Sequence, residues 1–170
     1  MFQVNDVIVY GTQGVCQITG TEEKVISGKK KTYFVLKPVS DQASTIFVPT
    51  DNETVLKKIR RLLTKDEIHQ LIDSMEAEKA LWVEDEGARK ELYKSTLATG
   101  NHSELIKMIK AIYAHKKQRE AEGKRLHMSD ERFFKDAEQI LYNEFQYVLE
   151  LGSKEDLMAY IFERTEKNSK

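Results

Sequence analysis

Apolar positions along the chain change their period once, near Thr54. Before that point, short runs rich in Val, Ile, Tyr, Phe and Thr occur at 7–10, 14–19, 32–38 and 45–48, and they alternate with polar residues as half-buried strands do. Turn signals separate the runs at 11–14, 27–28 and 40–41, where Gly and Asp accept the backbone angles of tight turns. Pro38 and Pro49 fall at strand ends, where a missing N–H costs little. Four or five strands in so short a stretch predict a small antiparallel barrel.

From Thr64 onward apolar residues recur at three and four, which predicts helices. Thr64 with Glu67 has the spacing of a capping box and opens a stripe of Ile68, Leu71, Ile72 and Met75. Residues 85–97 predict a second helix, ended by Thr99 and Gly100. Asn101 with Glu104 opens a third, buried through Leu105, Met108, Ile109, Ile112 and Tyr113, with Gly123 as its end. Ser129 is the expected cap of a fourth, with Phe133, Ala137, Ile140, Leu141, Phe145, Val148 and Leu149 inward and Gly152 as its stop. Ser153 with Asp156 begins a short last helix through Leu157, Tyr160 and Ile161, and the final residues read as a disordered tail. The expected class is α+β: a small antiparallel β-barrel over 1–62, then an all-helical domain over 63–165.

Charge sharpens this picture. The 170 residues carry a net charge of −1, yet residues 1–62 are net +3, 63–99 net −4, 100–128 net +4 and 129–170 net −4. A basic segment inside a neutral chain suggests a small anionic contact and not wholesale polyanion binding. No apolar run approaches the roughly 20 residues that span a bilayer, and the N-terminus does not read as a signal peptide, so a cytoplasmic protein without a membrane partner is expected. Cys16 is the only cysteine and sits in an alternating apolar stretch, where it reads as a small buried hydrophobe.

Catalytic and metal chemistry find no motif. His69, His102, His115 and His127 show no HExxH pairing and no Cys partner; Asp66 and His69 share a helix face but read as surface residues. Neither GxGxxG nor GxxxxGK[ST] occurs, and Gly28 with Lys29, Lys30 and Lys31 is a basic turn without the rest of a P-loop. No catalytic residue, metal, cofactor or small-molecule substrate is expected, and the reading is of a non-enzyme. An enzyme would need a pocket with converging polar groups.

Several positions together carry a family resemblance. They are Asp6, Val7, Val9, Tyr10, Gly14 and Val15; then Tyr33, Val35 and Leu36; then Ile46, Phe47, Val48 and Pro49; and, in the helical half, Arg89, the run from Leu97 to Asn101, Gly123, Ala137, Ile140, Leu141 and Glu144. In this order they resemble the CarD family of bacterial transcription regulators, whose N-terminal module is shared with transcription-repair coupling factors. Asn5 stands where the family commonly has Gly, and Gly11 where it has Pro. The family Trp lies three residues before the Arg matched to Arg89, whereas here Trp82 lies seven before it and Glu86 fills the expected place.

The resemblance implies a Tudor-like β module that docks on the RNA polymerase β subunit, and a helical module that stabilises melted promoter DNA from its upstream edge. It places Lys24, Phe47 and Pro49 at the polymerase contact, although alternating strand residues such as Phe47 are also often core. It casts Trp82 as a minor-groove wedge or, alternatively, a packing residue. Lys116, Lys117, Arg119, Lys124 and Arg125 are the candidates for weak, sequence-tolerant phosphate contacts, with Arg89, Lys90 and Lys94 as possible additions. The alternative to DNA contact is a protein-only polymerase adaptor, for which the basic stretch from 115 to 125 has no evident use.

Overall fold

The computed structural model describes residues 1–80 and 82–170, which divide into two compact units, 1–63 and 64–170.

The first unit is a five-stranded antiparallel sheet. Its strands are β1 (Val7–Tyr10), β2 (Val15–Ile26), β3 (Lys29–Pro38), β4 (Ile46–Pro49) and β5 (Ile59–Arg61), with a helical turn α1 (Glu53–Leu56) before the last. The order β4-β3-β2-β1-β5 is open, so the expected barrel does not form. The edge strands β4 and β5 are only 4 and 3 residues long and do not pair with each other, and closure needs exactly that pairing. Ser27 and Gly28 both have positive φ, 51° and 75°, the type I′ geometry whose twist matches the flanking strands. The long β2–β3 hairpin follows from that turn. Ile8, Cys16, Ile18, Leu36, Val48 and Ile59 fill the inner face of the sheet. Cys16 is wholly buried there as expected, and burial pushes its thiol up to about 11, which leaves it inert at neutral pH.

Among its described residues the second unit holds five helices: α2 (Lys65–Ser74), α3 (Glu86–Thr99), α4 (His102–Ala121), α5 (Met128–Leu149) and α6 (Lys154–Asn168). The α+β class therefore holds. The capping box at Thr64 forms in both directions, with the Glu67 N–H donating to Thr64 Oγ1 at 3.2 Å and the Thr64 N–H to Glu67 Oε2 at 2.8 Å. Asn101 and Ser153 cap α4 and α6 as read. At Gly123 the chain reverses in a Schellman motif: the Lys124 N–H donates to the Arg119 carbonyl and the Gly123 N–H to that of Glu120.

Five expectations are corrected. Helix α5 begins at Met128 with His127 as its cap residue, so Ser129 lies in the first turn. It ends on Glu150 in the left-handed conformation at φ 57°, not on Gly152. Helix α6 runs on to Asn168, through most of the expected tail, and there Arg164 and Asn168 both donate to Asp73 of α2. Leu157, Ile68, Ile72, Leu105, Met108, Ile112, Leu141 and Phe145 form the unit's wholly buried apolar interior. Tyr113, expected to lie with them, is 52% exposed. His69 is also more than a surface residue, since its ring stacks on Tyr160 of α6 and shares a hydrogen bond with its hydroxyl.

Candidate functional site

The first surface is the outer face of the sheet. Register pairs Tyr33 with Pro49 and Val35 with Phe47, and the period of two sends these residues away from Leu36 and Val48, which are wholly buried. Phe47 is accordingly 38% exposed and is not core. Lys24 reaches across from β2, with its ammonium 3.3 Å from the Phe47 ring centroid and 5.9 Å from that of Tyr33. Lys24, Phe47 and Pro49, far apart in sequence, thus share one face. Sequence reasoning passed over Tyr33 as a member, although its alternation with Phe34 and the match to the β4 register were the available signals. Lys24 lies directly opposite Lys31, a like-charged cross-strand pair that costs stability and leaves the face cationic. Beside this face runs the outer edge of β4, which no strand of the sheet covers.

The second surface is built around α4. The segment between α2 and α3 is tied along this helix by side chains. Lys110 donates to the carbonyls of Met75, Glu76 and Glu78, and Ser103 to the Glu78 carboxylate. Further along, Trp82 stacks on His115 with ring centroids 3.8 Å apart, and the Arg89 guanidinium sits 4.4 Å from the indole centroid. Trp82 is half-buried, and its Nε1 is shielded without a hydrogen-bond acceptor among the described residues. Burial and the neighbouring Arg119 hold the His115 imidazole below its ordinary value.

Arg89 departs from its expected place. It is 3% exposed and grips Asp130 through two 3.0 Å hydrogen bonds, while its remaining amino group donates to the carbonyls of Val83 and Glu84. All three of its nitrogens donate to protein groups and the side chain is buried, so this guanidinium holds the Trp82 segment and does not face a phosphate. Asp130 was not legible as its partner, being 41 residues away with no local signal.

The expected cations divide between faces. Lys90 pairs with Glu86 at 2.8 Å and Lys94 with Glu91 at 3.7 Å, both on α3. Arg119 donates to the Arg125 carbonyl at 2.6 Å and so shapes the turn after α4. Lys116 lies 6.0 Å from the Phe134 ring, and Lys117 lies 5.4 Å from the Tyr113 ring and 3.8 Å from Glu120. Lys124 is 3.6 Å from Glu122, and Arg125 is exposed without a carboxylate in pairing range among the described residues. At about 100° per residue, His115 and Lys117 lie on opposite sides of α4. Trp82 and Lys117 are therefore not one patch.

Among the described residues no group of three or more His, Cys, Asp or Glu could hold a metal ion, and no helix is long and apolar enough to cross a membrane.

Residues 2–63, nearly the whole of the sheet unit, match the family model described as CarD-like/TRCF RID domain. The chain is CarD-like. A relative of the CarD-like chain is the Bacillus subtilis (strain 168) protein named "Putative transcription factor YdeB", 23% identical over 158 residues that cover 91% of this chain and 97% of the relative. The likeness thus extends beyond the sheet into the helical unit.

Proposed function

We propose that this chain is a transcription regulator that docks on RNA polymerase through its sheet unit and stabilises the melted promoter through sequence-tolerant contacts of its helical unit. The observation that carries the polymerase half is the cluster of exposed Phe47 with half-buried Lys24, Tyr33 and Pro49 beside the free edge of β4, on the domain that matches the CarD-like/TRCF RID model. An open strand edge supplies main-chain hydrogen bonds to an added strand, and side chains beside it supply specificity. The partner surface in this reading is the polymerase β subunit. The name of the relative as a transcription factor agrees with it.

For DNA the reading uses Lys116, Lys117, Lys124 and Arg125, which are wholly or partly exposed, and assigns Arg89 and Arg119 to support. Trp82 lies along the same helix but on its other side, and its contacts with His115 and Arg89 give it a fixed orientation from which to abut a duplex end. Such a contact lowers the cost of keeping unstacked bases apart.

The test is a pull-down of the full chain with the isolated polymerase β subunit, beside the lifetime of open promoter complexes. Binding by the unaltered chain and its loss in the Lys24→Ala, Phe47→Ala double variant are expected. Equal capture of both chains would reject the docking face. A normal open-complex lifetime in a folded variant lacking Lys116, Lys117 and Arg125 side chains would favour a protein-only adaptor.

A further inference from the structure

Helix α4 carries a large exposed side chain that its own packing does not require. Ile109 and Ile112 on the same helix are 8% and 0% exposed, so α4 is well anchored, yet Tyr113 stands 52% exposed one turn beyond Ile109. At 100° per residue, Tyr113, Lys117 and Glu120 share one face, with Lys116 at its border, while His115 and Trp82 occupy the other side. The Lys117 ammonium lies 5.4 Å from the Tyr113 ring centroid. Lys116 has no carboxylate in pairing range among the described residues, and the Lys117 pair with Glu120 is an exposed one at 3.8 Å that a phosphate can displace at little cost.

We propose that Tyr113 is a stacking platform for an unpaired base of single-stranded DNA, with Lys116 and Lys117 holding the adjoining phosphates. This rests on the DNA-contact reading above and adds what kind of strand the helix meets. The chemistry selects the occupant. Bases in a duplex have their faces covered by neighbours, whereas an unpaired strand offers a π-face and a phosphate together, which is what an aromatic ring set among cations receives. Charge complementarity singles out this position among the exposed rings of the helical unit: Tyr147 and Phe162 lie in the segment of net charge −4, and Tyr113 lies in the segment of net charge +4. Placing the tyrosine and Trp82 on opposite sides of one helix would let a melted junction meet the first with its released strand and the second with its duplex end.

The experiment is fluorescence anisotropy of the full chain against labelled oligothymidine and a labelled duplex of equal length, at low salt. Tyr113→Ala is expected to weaken oligothymidine binding about tenfold, in line with the loss of one base stack, and to leave duplex binding unchanged. Tyr113→Phe should bind as the unaltered chain does. Because the ring is half exposed, melting curves should show both variants folded. Equal affinity of Tyr113→Ala and the unaltered chain for oligothymidine would overturn the proposal, and so would an equal loss on both probes. If the unaltered chain binds duplex but not oligothymidine, the stacking platform falls and the DNA-contact reading stands; if it binds neither, both fall.

Discussion

Single residues decide how the Trp82 region is held. Arg89 and Asp130 are 4% and 0% exposed at their side chains, and removing one member of such a pair strands the other charge in the interior. Arg89→Ala should therefore cost about 3–5 kcal/mol in denaturant unfolding, and a loss below about 1 kcal/mol, the ordinary worth of a surface pair, would show the pair to be water-exposed. His115 adds a pH dependence. Its folded value is held below 6.5, mainly by burial, so the folded chain favours the neutral ring. Its contribution is then fully present above the ordinary value and is lost as pH falls from there through the folded value. Stability measured against a His115→Gln variant should show the difference shrinking on acidification from pH 7.5; a difference that does not change with pH would contradict the assignment. Asn5 shows what a departure from a family pattern can mean: it has φ 78°, a left-handed backbone that Gly adopts freely and Asn tolerates better than most residues. Gly11 likewise has φ 47°, which proline cannot reach, and its N–H donates to the Lys58 carbonyl.

At the scale of elements, α6 shows which contacts hold a helix in place. Asp73 takes two hydrogen bonds from Arg164 and one from Asn168, but these side chains are about a third exposed and screened by water. Leu157 is wholly buried. Asp73→Ala should then cost about 0.2–1 kcal/mol, and Leu157→Ala about 2–5 kcal/mol, so that a larger effect of the aspartate on the melting midpoint would reverse the assignment. The elements themselves were legible where the signal is local: Thr64 with Glu67, Asn101 with Glu104, Ser153 with Asp156, and Gly100 in its left-handed cap all act as their spacing says. The illegible ones depended on distant contacts. Local preference favours Ser129 over His127 as the cap of α5, yet the helix starts at Met128 with no side-chain cap, and Tyr113 falls at a periodic apolar position whose burial depends on whether a neighbour covers it. Phe47 was undecidable until the register with Val35 fixed its side of the sheet. The open sheet was missed because strand number is written in the turns, while closure depends on edge strands long enough to meet.

For the whole molecule, the two compact units make separate predictions. A chain of residues 1–63 contains the complete inner-face core of Ile8, Cys16, Ile18, Leu36, Val48 and Ile59, so it should fold alone and capture the polymerase β subunit. A folded fragment that captures nothing would place the docking surface elsewhere. The helical unit sets the strength of any DNA contact. Its segment of net charge +4 lies between segments of net charge −4, and Lys117 and Lys124 each have a glutamate within 3.8 Å and 3.6 Å. Only about two or three phosphates can then be neutralised, and since log affinity falls with log salt by about 0.9 per phosphate, the slope should be about −2 to −3. Affinity would drop on the order of tenfold to sixtyfold between 50 and 200 mM salt. Measured on duplexes of unrelated sequence, the slopes should agree, because phosphate contacts position a protein without reading bases. Lys116→Ala should lower the slope by about one. A steep slope near −8, or a strong preference for one sequence, would require a larger cationic surface or base-edge contacts that this helix does not present.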